Sequence, residues 1–140
     1  MVNNKYLLLL LIFLLPHSMQ ARVVKNIVIH EVGTTGSNIT DNNEINACKK
    51  FIPNKKQIIN YFSNAEESKE KSWLHEYYSS CVAYGNIEFK DGLSGKWLLL
   101  SSGVGYVTLP DGSSINFFYK SNNWEDPFAC TYGLGDEPEC

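Results

Sequence analysis

Residues 81–120 read CVAYGNIEFKDGLSGKWLLLSSGVGYVTLPDGSSINFFYK, and this stretch decides the fold. Its first part alternates with a period of two, so one side of a strand would carry Cys81, Ala83, Gly85, Ile87 and Phe89. Turn signals at Asp91-Gly92, Ser102-Gly103 and Pro110-Asp111-Gly112 separate the later strands, at 96–101, 104–109 and 114–120. Because these connections are short, consecutive strands are expected to pair antiparallel, which predicts a four-stranded meander.

The sequence before this stretch predicts one main helix and a further strand. Pro53 suits the first turn of a helix, because its missing N–H is not needed there. The apolar residues that then fall on one helical face are Ile58, Ile59 and Phe62. Residues 23–32 (VVKNIVIHEV) are apolar and β-branched and indicate a strand, whereas residues 66–72 (EESKEKS) are charged and expected to be solvated. The prediction is a small α+β domain with an antiparallel sheet of about four to five strands and one main helix.

The N-terminal residues 1–21 have the layout of a secretory signal peptide. Residues 1–5 carry one positive charge, residues 6–15 (YLLLLLIFLL) are ten apolar residues, and Ala21 suits a cleavage site. A helix that spans a bilayer needs ~20 apolar residues, so this segment is too short to serve as a span. We therefore expect an exported chain with one domain at 22–140 and no stable membrane anchor after cleavage. An uncleaved anchor is the alternative.

Composition and charge narrow the classes of partner. The chain has 140 residues, of which 19% are charged and 13% aromatic, as in one folded domain. It has 12 Lys and Arg against 15 Asp and Glu, a net charge of -3. Removing residues 1–21 takes away Lys5 and no acid, which leaves a net charge of -4. Nucleic-acid binding needs clustered basic residues, so nucleic acid is not an expected partner.

Four cysteines lie in the exported part, at Cys48, Cys81, Cys130 and Cys140. In an exported chain an even number of cysteines indicates disulfides, here two, and three pairings are open. The sequence contains neither C-x-x-C nor His-x-x-x-His spacing, so no zinc site is expected. We predict a disulfide-stabilised domain without metal or cofactor.

The sequence gives little support for an enzyme. The exported part has two histidines, His30 and His75. His75 and Glu76 are adjacent, so on a strand their side chains would diverge and could not act as a dyad. No nucleophile elbow and no glycine-rich phosphate loop is present. We predict a protein without catalytic residues.

A candidate binding patch lies near the C-terminus. Aromatic side chains occur there in a turn-rich segment beside carboxylates, a composition typical of protein-binding patches. The candidate binding residues are Trp124, Glu125, Asp126, Phe128, Tyr132, Asp136, Glu137 and Glu139. The acids would attract a basic partner and raise its association rate. Two simpler interpretations stay open: the aromatics fix the segment to the sheet, and the acids only aid solubility.

Four blocks of the sequence, taken in order, resemble one bacterial family. They are 55–62 (KKQIINYF), 75–85 (HEYYSSCVAYG), Gly95 and Trp97 with 101–103 (SSG), and Trp124 with 126–133 (DPFACTYG). Together they are similar to small exported proteins encoded beside polymorphic toxins, the candidate immunity proteins of contact-dependent growth inhibition and related systems. The resemblance covers 53–133 and does not include the N-terminal third or the acidic end.

The resemblance implies a function in bacterial competition. Such a protein would bind a cognate toxin in the periplasm and block its active site without catalysis of its own. The toxin would be basic, because the chain is acidic. The family pattern has one cysteine in each of the second and fourth blocks, which implies a Cys81–Cys130 disulfide and leaves Cys48 with Cys140. Oligomeric state is left open.

A second resemblance gives the alternative function. Residues 102–106 (SGVGY) resemble the S-G-x-x-Y loop of periplasmic inhibitors of C-type lysozyme, which are small β proteins with disulfides. That reading predicts that Ser102 and Tyr106 contact lysozyme. A structural module of the cell envelope is the third interpretation.

Overall fold

One antiparallel sheet of six strands organises the computed structural model, which describes residues 21–68 and 73–133. In chain order the elements are β1 (Val24–Thr35), α1 (Asn42–Cys48), α2 (Lys55–Asn64), β2 (Glu66–Ser68), α3 (Trp73–Glu76), β3 (Cys81–Phe89), β4 (Ser94–Leu100), β5 (Val104–Thr108) and β6 (Ser114–Phe118). The strands lie side by side in the order β1-β3-β4-β5-β6-β2. The predicted α+β class and the meander are confirmed.

Three elements were not predicted: β2, α1 and the four-residue helix α3. The charged residues of β2 pair antiparallel with β6, with Glu66 opposite Phe118, although this segment was expected to be solvated. Helix α1 begins after Asp41, whose carboxylate accepts hydrogen bonds from the backbone N–H groups of Asn43 and Glu44. The sheet therefore has one strand more than the upper limit of the prediction.

The sheet curves strongly around its core. The rings of Phe89 in β3 and Phe117 in β6 have centroids 6.3 Å apart, although β4 and β5 lie between these strands. Neighbouring strands are ~4.8 Å apart, so in a flat sheet the two positions would be about 14 Å apart. The curvature also brings the two outer strands near each other: Arg22, next to β1, forms ion pairs with Glu67 of β2 and with Asp91.

Helix α2 fills the concave side. Its N-terminus has a capping box in which Asn54 and Gln57 satisfy each other's backbone N–H groups. Phe62 is fully buried, and its ring contacts Phe89, Trp97 and Phe117 at centroid distances of 5.3–6.2 Å. The predicted apolar helix face is therefore the one that packs on the sheet.

The indole of Trp97 joins β1 and β3 at the point where β3 has Gly85. Trp97 donates from Nε1 to the carbonyl oxygens of Val28 and Asn86, at 3.2 and 3.1 Å. A side chain at Gly85 would overlap the Val28 carbonyl and the indole nitrogen. Glycine is therefore required at this position for β1 and β3 to approach each other beneath the indole.

The disulfide pairing differs from the prediction. Cys48 is bonded to Cys81, so the predicted Cys81–Cys130 and Cys48–Cys140 pairs are both wrong. The physical reason is that β1 pairs with β3 up to Thr35 opposite Cys81, and the short helix α1 then returns Cys48 to this end of β3. Cys130 is also disulfide-bonded, and Cys140 lies outside the described residues.

The structure bears only in part on two predictions, the signal peptide and the absence of a stable membrane anchor. The signal peptide predicted at 1–21 lies, except for Ala21, outside the residues that the structure describes. Within 21–68 and 73–133, no helix is long and apolar enough to cross a membrane. A disulfide between Cys48 and Cys81 is compatible with an exported protein.

Candidate functional site

The aromatic residues of the predicted C-terminal patch point inward. Trp124 donates from Nε1 to the carbonyl oxygen of Ser101 at 2.8 Å, and its ring contacts Phe51 and Tyr61. Phe128 is half-buried against the same core. These contacts fix the segment to the end of the sheet between β4 and β5.

Asp126 is the centre of a polar cluster beneath this segment. Its Oδ1 accepts hydrogen bonds from Ser101 Oγ at 2.7 Å, from Tyr132 Oη at 3.0 Å and from the backbone N–H of Phe128 at 3.0 Å. Burial raises the pKa of Tyr132, and the adjacent Asp126 carboxylate raises it further, so this phenol stays protonated and remains a donor. The cluster joins the segment to Ser79 through the hydroxyl of Ser101, 2.6 Å away.

We expect Asp126→Ala to lower the free energy of unfolding by about 1–3 kcal/mol, because three donors lose their acceptor. Glu125→Ala is the matched control: Glu125 is exposed, and Lys50 Nζ lies 3.8 Å away, so a change within ~0.5 kcal/mol is expected. Urea unfolding monitored by circular dichroism measures both. Equal losses in the two variants would contradict a structural role for Asp126.

The predicted binding residues are thus not brought together as one exposed patch. Trp124, Phe128 and Tyr132 are half-buried, and Asp126 is used in internal hydrogen bonds. Glu125 is exposed, and Asp136, Glu137 and Glu139 lie outside the described residues. Their contact with a toxin stays a prediction, and the geometry favours the interpretation in which the aromatics fix the segment.

A second accessible surface lies on the convex side of the sheet. We call it the convex face and define it by Val28, Tyr84, Asn86, Lys96, Leu98, Tyr106 and Thr108. Val28 is 45% exposed and Tyr84 36%, which is high for large apolar or aromatic side chains in a sheet. Two adjoining shallow depressions of about 420 and 510 Å³ lie here and share Asn86, Lys96 and Thr108 in their walls.

Polar contacts hold the aromatic part of this face in place. Tyr84 donates its phenol proton to Glu31, and this hydrogen bond raises the pKa of Tyr84. The ring of His30 meets the ring of Tyr84 edge-on at 6.5 Å, and its Nε2 lies 3.3 Å from the amide nitrogen of Asn86. Tyr84 is therefore exposed and yet restrained in orientation, as an anchor residue of an interface should be.

One end of the same side of the sheet is covered. Val82, Leu100 and Val104 form a small second core beneath Tyr77. The Tyr77 ring contacts Phe118 at 4.8 Å, and Lys120 Nζ lies 5.0 Å from its centroid. The accessible part of the convex face thus begins where this cover ends.

The loop that resembles a lysozyme-inhibitor motif is a closed hairpin turn. Ser102 is buried and donates from Oγ to the carbonyl oxygen of Tyr77 at 2.5 Å. Gly103 has φ of 96°, and its carbonyl oxygen accepts from Tyr61 Oη. Tyr106 is half-buried. Ser102 could reach a partner only if this turn opened.

The two histidines of the described residues lie on different elements, His30 on β1 and His75 in α3. His75 lies at the end of α3 and is exposed. Among residues 21–68 and 73–133, no group of three or more His, Cys, Asp and Glu is placed to hold a metal ion.

Comparisons with family models, with curated proteins and with solved structures found no match. The resemblance to immunity proteins therefore rests on the four sequence blocks alone. The binding residues predicted from the sequence, at 124–139, include none of the residues of the convex face. A signal was present in the alternation of β3, which places Val82, Tyr84, Asn86 and Glu88 opposite the core residues.

Proposed function

We propose that the protein is an exported immunity protein that binds a toxin domain and covers its active site without catalysis of its own. The observation that carries this proposal is the convex face. It offers restrained aromatic and aliphatic side chains on a sheet held by a disulfide, and polar groups surround them. Interfaces of tight inhibitors have this composition, an apolar centre with aromatic anchors and a polar rim.

A basic toxin is the expected partner, because the chain has a net charge of -3. The acids Asp136, Glu137 and Glu139 would attract the toxin at longer range, because a cluster of charges of one sign steers a partner of opposite charge toward the interface. In this proposal the convex face supplies affinity, and the acidic end supplies association rate.

The site of action that we propose is the periplasm. The disulfide supports an exported protein, and the predicted signal peptide at 1–21 would provide the route. There the protein would meet a toxin during its delivery by a neighbouring cell.

The proposal predicts that a toxin gene lies immediately upstream of the gene for this chain, and co-expression with that toxin domain tests it. We expect the wild-type chain to restore growth, and Tyr84→Ala to weaken binding about tenfold or more, the effect of losing an interface anchor. Ile52→Ala is the control, because Ile52 is an apolar residue that is 62% exposed but lies just before α2 and is not part of the convex face. Isothermal titration of the purified pair gives the affinities. Toxicity that is unchanged by the wild-type chain would refute the proposal.

A further inference from the structure

The middle of β1 is nearly palindromic in chemical character. Residues 24–32 read VKNIVIHEV, with Val28 at the centre. Ile27 mirrors Ile29, and Val24 mirrors Val32. The charged pair, Lys25 and Glu31, occupies mirrored positions with opposite signs. A strand with this pattern matches a second copy of itself placed antiparallel to it.

In the described part of the chain, no strand pairs with the outer edge of this strand, and Arg22 just before it forms an ion pair with Glu67 of β2. β1 is the first strand in the sheet order and pairs only with β3 in the part of the chain that the structure describes. It is 12 residues long, whereas β6 has five and β2, at the other end of the order, has three. Val23, just before the strand, and Val28, on its convex side, are 55% and 45% exposed. A long edge strand with exposed apolar residues favours pairing with another strand.

We propose that two copies of this chain associate through β1, antiparallel, with the two-fold axis at Val28. Ile27 then lies opposite Ile29 of the second copy, and Lys25 lies opposite Glu31 of the second copy. A symmetric dimer requires such a self-complementary surface, since each contact occurs twice. The two sheets become one continuous sheet, and the two convex faces lie side by side on the same surface.

Lys25 and Glu31 both have polar contacts within their own chain, and these contacts still allow each of them to pair with a second copy. Lys25 Nζ lies 2.9 Å from Glu88, and both side chains are largely exposed. Exposed ion pairs contribute little, so Lys25 can exchange or share its partner at small cost. Glu31 accepts from Tyr84 with one carboxylate oxygen and keeps a second oxygen as an acceptor.

The register shifts of β1 lie on either side of the proposed axis, and Lys25 and Glu31 lie just outside the regular segment. Register shifts lie between Val24 and Asn26 and between Ile29 and Glu31, which leaves a regular segment of four residues between them. Bulges and charges on an edge strand usually oppose pairing with another copy. Charges that protect an edge face a like charge of the second copy and repel it. In the proposed pairing Lys25 faces Glu31 of the second copy, so the facing charges attract each other.

Charge reversal tests the register directly. Sedimentation equilibrium of the mature chain is expected to show a dimer, and K25E and E31K are each expected to raise the dissociation constant about tenfold or more, because like charges then face each other. An equimolar mixture of K25E and E31K should recover the dimer as a heterodimer, since all four facing charges are then matched. The double variant K25E/E31K should recover it as a homodimer.

The outcomes separate the register from other effects. A wild-type chain that stays monomeric across the concentration range overturns the proposal. So does a dimer that both single variants leave intact, or one that the mixture fails to restore. Circular dichroism melts of the single variants provide the control for folding. An unfolded variant would lose the dimer for a reason other than charge repulsion. Recovery of the dimer on mixing K25E with E31K shows that the facing charges are the cause.

Discussion

Replacing Phe62 by alanine is expected to lower the free energy of unfolding by about 3–5 kcal/mol. Phe62 is fully buried at the point where α2 meets the concave sheet, and its ring contacts Phe89, Trp97 and Phe117. Alanine would leave a cavity lined by these rings, which a strongly curved sheet can fill only by changing its curvature. A loss of this size is a large part of the ~5–15 kcal/mol typical of a domain.

Chemical unfolding monitored by far-ultraviolet circular dichroism measures the effect. Lys56→Ala is the control on the same helix, because Lys56 is exposed and alanine is a strong helix former. We expect this control to change the stability by no more than ~0.5 kcal/mol. A Phe62→Ala variant that is as stable as the control would show that the core does not depend on this ring.

Removing the Cys48–Cys81 disulfide has the second large expected effect. The two residues are 33 apart in sequence, and a loop of this length implies about 4 kcal/mol of stabilisation in the chain-entropy description. We expect the double variant Cys48→Ala/Cys81→Ala to be less stable by roughly 2–4 kcal/mol. Its unfolding midpoint under oxidising conditions, compared with that of the wild-type chain, gives the value.

Reductant provides the control for this comparison. Cys130 is disulfide-bonded as well, so reduction of the wild-type chain breaks more than the Cys48–Cys81 bond. The wild-type chain should therefore lose more stability on reduction than the double variant does. Identical midpoints for the two proteins under oxidising conditions would contradict the expected contribution of this bond.

The sequence predicts the parts of this fold whose signals are local. The strands β3 to β6 were predicted because alternation and turn residues lie within the same 40-residue stretch. β2 could not be predicted in this way, since Glu66, Glu67 and Ser68 have no strand preference of their own and become a strand by pairing with β6. The Cys48–Cys81 bond depends on where α1 returns the chain, which no local pattern encodes.

The candidate site shows the same limit. Aromatic residues in a turn-rich segment allowed two interpretations, exposed anchors or side chains that fix the segment to the sheet. In the structure Trp124 donates to the carbonyl oxygen of Ser101 and contacts two aromatic rings, which favours the second. Sequence alone could not show this, because the partner atom belongs to Ser101, more than twenty residues away. The alternation placed Tyr84 on the side of its strand opposite Cys81 and Phe89, but the sequence could show neither which side of the sheet is exposed nor the restraint of Tyr84 by Glu31.

The ion pairs of Arg22 make the junction between β1 and β2 a seam. β1 and β2 are the ends of the sheet order, and in the described chain no backbone ladder joins them. Side chains of Arg22 and Glu67 connect them instead, with roughly a quarter of each side chain exposed. A contact between two side chains opens at lower cost than a backbone ladder, because the ladders of the meander open only with the core. Thermal fluctuations would therefore separate β1 from β2 before any other strands. Solvent would then briefly reach Phe89, over which Arg22 lies. The amide protons of the four central strands would stay protected from exchange during this opening.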